Sequence, residues 1–210
     1  FNLISFDIKD ENGNNNNKVN AGETVKLSVK FNNDSELAYE NIKAVLSSNN
    51  DNVTMKDGEA AISKIAAKAE ISLTAEFEFS VSKDANYKEP LVLKLEYYNE
   101  SESLVSSLDI LVTVHNSELE FASFVIDNDD NGNGVLEAGE TANLGVIINN
   151  AGNEIAVDVK GVLSSSDSKV TINQNEGYFN TVGAESSAVA YFNISVAENA
   201  GENLDIPFDI

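Results

Sequence analysis

The residues best suited to chemistry lie between positions 127 and 140, in the run Asp-Asn-Asp-Asp-Asn-Gly-Asn-Gly-Val-Leu-Glu-Ala-Gly-Glu. Side-chain oxygens fall at alternate positions, Asp127, Asp129 and Asn131, and a glycine and then Glu137 and Glu140 follow. Calcium takes about six to eight hard oxygen ligands, wrapped around it by a tight turn. The opening D-x-D-x-N-G is the first half of an EF-hand loop. The second half departs from it, because Ala138 stands where an EF-hand has its bidentate glutamate, and the carboxylates flank it at Glu137 and Glu140. One reading is an EF-hand-like calcium turn between β-strands, with Asn133 offering a carbonyl and Glu140 or Glu137 closing the shell. The other is an Asn/Asp/Gly-rich turn that needs no metal.

The loop occurs twice. Asp10-Glu11-Asn12-Gly13 runs into Gly22-Glu23-Thr24 as Asp129-Asp130-Asn131-Gly132 runs into Gly139-Glu140-Thr141. From Glu23 and Glu140 onward the halves keep step at an offset of 117: Val45-Leu46-Ser47-Ser48 matches Val162-Leu163-Ser164-Ser165, and Ile65 matches Val182. Such a repeat sets the organisation of the chain before any fold is named. In the first loop Asp10, Asn12 and Glu23 correspond to Asp129, Asn131 and Glu140, but apolar Ile8 falls where Asp127 stands, and two residues are inserted before the glutamate. Fewer charges on a longer loop predict a weaker calcium site there, or none.

The loops must be carried by strands. Val25, Leu27, Val29 and Phe31 alternate with Lys26, Ser28 and Lys30, a period of two that predicts a half-buried strand. Ile71 to Val81 repeats the pattern, Leu91 to Tyr98 and Leu104 to Val114 read as a hairpin, and Leu144, Val146 and Ile148 predict the matching core in the second half. No segment holds a helical period. Short strands between turn signals predict an all-β chain of two β-sandwiches, residues 1–116 and 117–210. Matching Leu204 to Leu91 puts Ile210 at Tyr97, so the closing strand of the second sandwich is expected to be missing from these residues, which read as a piece of something longer.

Composition narrows the function. The 210 residues carry a net charge of −22, and all 13 basic residues are lysines. Such a surface repels phosphate backbones and anionic lipid, which argues against nucleic-acid binding. No run is long and apolar enough to insert into a membrane as a helix. With no cysteine and one histidine, His115 at the joint between the halves, where it reads as a linker residue, the sequence argues against Ser-His-Asp or Cys-His catalysis in any ordinary form, and no enzymatic activity is expected of it. Tyr87, Tyr97 and Tyr98 could form a small aromatic patch, although one of the adjacent pair should face the core.

The loop leading into Gly-Glu-Thr, the alternating strand after it, then Val-Leu-Ser-Ser and Val-Thr-Met or Val-Thr-Ile together resemble tandem immunoglobulin-like repeats. Such repeats lie downstream of the catalytic domain in gingipain-type cysteine peptidases and occur in other surface or secreted proteins of Bacteroidetes. The resemblance rests on Asp10 to Thr24 with Val45 to Ser48, and on Asp127 to Thr141 with Val162 to Ser165. It implies an extracellular or cell-surface, non-catalytic module whose partners are the neighbouring domains of its own polypeptide, with a host or surface protein or glycan as a further partner class. A spacer and an adhesion or carbohydrate-binding module both fit.

Overall fold

A computed structural model describes residues 1–11, 13–201 and 205–210, with Ala75 described in its backbone alone. Asn12 and Leu204, both named above, lie outside the described residues. The chain divides into two compact units, Phe1–His115 and Asn116–Ile210. All regular structure among the described residues is β.

Unit 1 contains β1 (Asn2–Lys9), β2 (Val19–Asn20), β3 (Thr24–Asn32), β4 (Tyr39–Ser47), β5 (Val53–Asp57), β6 (Glu59–Ile65), β7 (Glu70–Val81), β8 (Leu91–Tyr98), β9 (Leu104–Val112) and β10 (Val114–His115). Unit 2 contains β11 (Leu119–Asp127), β12 (Thr141–Asn150), β13 (Ala156–Val162), β14 (Val170–Gln174), β15 (Glu176–Val182) and β16 (Ser186–Val196). Unit 1 sets the antiparallel sheet β1-β3-β7-β5 against the antiparallel sheet β6-β4-β8-β9, and β10 lies parallel to β2. The alternation read from the sequence decides the faces. Val25, Leu27, Val29 and Phe31 meet Ile42, Ala44 and Leu46 of the facing sheet in one buried core, while Lys26 and Lys30 stay partly exposed. This is the layering of a β-sandwich.

Unit 2 repeats the first sheet strand for strand, in the order β11-β12-β16-β14, and packs Leu144, Val146 and Ile148 into its own core. Positive-φ positions repeat with it: Asn41 in β4 and Asp158 in β13, where the strand pairing skips a residue, and Lys68 and Glu185 between strands. The pairings show that the two halves do not keep one offset throughout. Val29 pairs with Leu73 and Val146 with Ala190, an offset of 117 on both strands; Leu27 pairs with Phe77 and Leu144 with Phe192, where the second strand is offset by 115. Two extra residues therefore sit in β7 opposite Ser28, a bulge that β16 lacks.

The second sheet of unit 2 differs. β13 pairs with β15, and beyond them the described residues add one antiparallel bridge, Ser164 to Asp209. In unit 1 the equivalent Ser47 pairs with Lys94. The hydroxyl of Ser48 donates to the carbonyl of Val92 as that of Ser165 donates to the carbonyl of Pro207. Both relations have an offset of 115, so Ile210 takes the place of Leu95. The expected match of Leu204 to Leu91 is thus corrected by two residues, because the β7 bulge carries its offset through to the end of the unit.

Candidate metal centre

Each Asp/Asn loop is fastened to the central strands by the same bonds. Gly22 donates to the carbonyl of Val81 and Gly139 to that of Val196, while the amides of Val81 and Val196 donate back to the carbonyls of Glu23 and Glu140. The hydroxyl pairs Thr24–Ser80 and Thr141–Ser195 lie beside them at 2.7 and 2.8 Å. Gly22 and Gly139 have φ of 88° and 86°, which side-chain-bearing residues rarely adopt, and this accounts for a glycine before each glutamate.

In the first loop the carboxylates are used by the backbone. Asp10, buried, accepts the N–H groups of Asn16 and Asn17, each at 3.0 Å. Glu23 accepts those of Asn14 and Asn20 at 3.2 and 3.3 Å. The Asn16 amide donates to Asn20 Oδ1 at 3.1 Å.

The second loop gathers more charge. Asp129 accepts the N–H groups of Asn133 and Gly134, the role Asp10 has in the first loop. The Asn131 Nδ2 donates to Glu137 Oε2 and to Glu140 Oε1, both at 2.6 Å, and Asn133 Nδ2 reaches Glu137 Oε2 at 3.1 Å. Glu140, buried, also accepts the N–H of Glu137 at 2.9 Å. Two carboxylates are thus held on either side of one amide nitrogen, where they repel each other. At the position of Glu137 the first loop has Asn20, one charge fewer. Asp127 Oδ1 accepts the N–H of Asn128.

The donor set suits a hard cation. Asp129, Glu137, Glu140 and the amide oxygens of Asn131 and Asn133 are all oxygen ligands, and the Asn131 amide turned over presents Oδ1 between the two glutamates. Among the described residues no group of three acidic or histidine side chains gathers closely enough to hold a metal by itself. A cation here would draw on amide and backbone oxygens as well.

The tyrosine patch considered above is not assembled. Tyr97 is fully buried, against the rings of Phe1 and Phe31, while Tyr98 is partly buried and donates to Glu96. Sequence reasoning missed Asn33 and Asn150, 0% and 1% exposed, whose amides bridge backbone carbonyls inside each unit. Their shared offset of 117 was the signal available in the sequence.

No family model matches the chain, and no curated protein matches it.

Proposed function

We propose that the chain is a non-catalytic module of two immunoglobulin-like β-sandwiches, a spacer or binding arm of a larger surface or secreted protein, stiffened by calcium at the second loop. The observation that carries this reading is the clamp of Asn131 between Glu137 and Glu140. Two like charges brought together on a loop fastened to β12 and β16 are relieved by a divalent cation, and ordering that loop stiffens the strands it joins. Calcium sites of millimolar or submillimolar affinity belong to extracellular modules, and an extracellular or cell-surface location is part of this proposal. The resemblance to repeats attached to gingipain-type peptidases makes a peptidase one candidate parent. Calorimetry and thermal melting with calcium and with chelator test the reading. Calcium should raise the midpoint by mass action, and Asp129→Ala should abolish the difference. No binding heat at millimolar calcium, with a midpoint indifferent to chelator, leaves the loop a turn only.

A second reading, adhesion or carbohydrate binding, draws on Tyr178. Its exposed ring stands beside the ion pair Lys160–Glu176 and its hydroxyl donates to Glu176 at 3.1 Å, an aromatic face with polar groups at its edge. A glycan and matrix-protein screen separates the two readings, with Tyr178→Ala as the control.

A further inference from the structure

The sheet β11-β12-β16-β14 turns Leu144, Val146 and Ile148 of β12, and Ala190, Phe192 and Ile194 of β16, into the unit 2 core. Alternation puts Asn143, Gly145 and Ile147 on the outer face, paired with Asn193, Tyr191 and Val189. In unit 1 the same face is charged. Lys26 pairs there with Glu78, Asn32 pairs with Glu70, and Lys30 forms an ion pair with Glu70. Unit 2 puts Asn143 with Asn193 and Asn149 with Ser187 in those places, and Ile147 where Lys30 stands. On a chain of net charge −22, the outer positions of β12 and β16 thus carry no charge at all.

A row of amides and an aromatic ring take the place of the charges. Asn173 Nδ2 donates to Asn193 Oδ1 at 2.9 Å and to Ser195 Oγ at 2.8 Å, and Asn193 Nδ2 donates to Asn143 Oδ1 at 3.0 Å. The row crosses three strands, and a primary amide has two donors and two lone pairs, so it has capacity beyond its own bonds. Beside it the exposed ring of Tyr191 rests against Gly145. A Cβ on Gly145 would stand 2.9 Å from Tyr191 Cε1 and 2.7 Å from Val125 Cγ2. Gly145 is not one of the glycines with positive φ, so its backbone does not call for glycine. Glycine inside a strand weakens it and marks a place of close approach. Here the missing side chain lets the ring and Val125 close over the strand.

We propose that this outer face of unit 2 binds a neutral glycan, with a sugar ring stacked on Tyr191 and its hydroxyls on the amides of Asn143, Asn193 and Asn173. A pyranose presents a face of C–H groups, which suits the negative face of an aromatic ring, and a rim of hydroxyls that donate and accept as amides do. Charge selects the ligand. None of the four strands of this sheet holds a lysine, and Asp127 stands opposite Asn143, so a uronate, sulfate or phosphate group meets no cation and is repelled. A second copy of this anionic chain is repelled in the same way. The proposal rests on the binding-arm form of the proposed function, at a site other than Tyr178, and does not depend on calcium.

The test is an NMR titration of the 210-residue chain with neutral oligosaccharides of glucose, of mannose and of N-acetylglucosamine, and with anionic oligogalacturonate. At least one neutral sugar should shift the amides around Asn143, Gly145, Tyr191 and Asn193, and oligogalacturonate should not. Tyr191→Ala should weaken binding by about tenfold or more. Gly145→Ala, which pushes the ring off the sheet, should weaken it as well. Asn143→Lys combined with Asn193→Glu installs the pair that unit 1 carries at this place, and should remove binding while unit 2 still melts cooperatively. Tyr178→Ala should leave binding unchanged. No shift with any of the neutral sugars overturns the proposal and leaves the calcium-stiffened spacer standing. Binding lost in Tyr178→Ala but kept in Tyr191→Ala overturns it in favour of a site at Tyr178. Equal binding of oligogalacturonate overturns it too, as does a concentration-dependent dimer that Tyr191→Ala dissolves, which would make a second copy the occupant.

Discussion

Asn150 occupies in unit 2 the place that Asn33 occupies in unit 1, each at the end of a central strand with its amide donating to two backbone carbonyls. Asn33 reaches Leu37 and Ala66, and Asn150 reaches Glu154 and Val182. Their side-chain oxygens also accept: Asn33 from Ser35, and Asn150 from Glu118 and Gly152. One buried amide thus satisfies several backbone groups at a corner that strand pairing cannot reach. Alanine at either position removes a buried amide and the backbone bonds it makes, at a cost of about 2 to 4 kcal/mol. Chemical denaturation of Asn33→Ala and Asn150→Ala should show this loss in the unit that carries the change and not in the other.

The difference between the loops predicts a transfer of function. Asn20→Glu places a carboxylate where the second loop has Glu137. With Glu23 three residues on, the first loop then holds the same pair of glutamates. Calcium titration of a chain already carrying Asp129→Ala should show a new thermal response in the Asn20→Glu variant. No response would mean that the pair of glutamates is not what binds the ion.

Tyr97 supplies a prediction in pH. Its hydroxyl is buried with no hydrogen-bond partner among the described residues, and burial pushes the phenol well above the ordinary tyrosine range. In the unfolded chain the same phenol ionises near its ordinary value of about 10. The folded value is the higher one, so the contribution to stability is present below that pH and is lost as pH rises above it. Tyr97→Phe should be neutral or stabilising by about 1 kcal/mol near neutrality. It should also lessen the alkaline fall in unit 1 midpoint, measured by melting across about pH 8 to 11.

Packing in unit 2 is tight where glycine replaces alanine. Gly161 and Gly177 take the places of Ala44 and Ala60, and a Cβ on Gly177 would lie 2.6 Å from the fully buried ring of Phe192. Gly177→Ala should destabilise unit 2 by about 1 to 3 kcal/mol through overpacking. Gly177→Ala combined with Phe192→Leu should recover part of that loss, and additive losses would point to backbone strain instead.

Local chemistry was legible in the sequence. A period of two turns Val25 to Phe31 and Leu144 to Ile148 to one side whatever lies opposite, because the pleat fixes side-chain direction residue by residue. The repeated loops and their glycines were legible for the same reason, since turn conformation is decided by neighbours in the chain. What lies across a strand was not. The bulge opposite Ser28 depends on how β7 pairs with β3, and a pattern read along one strand does not count the residues on its partner. The clamp on Asn131, the bridging by Asn33 and Asn150 and the burial of the Tyr97 hydroxyl all join residues brought together by the fold. Phe121 and Phe124 show the limit most directly. Alternation sends them inward as it sends Leu3 and Phe6, but whether an inward side chain meets protein or water is decided by what packs over it, and only the tertiary structure shows Leu3 and Phe6 packed against a core and Phe121 and Phe124 exposed.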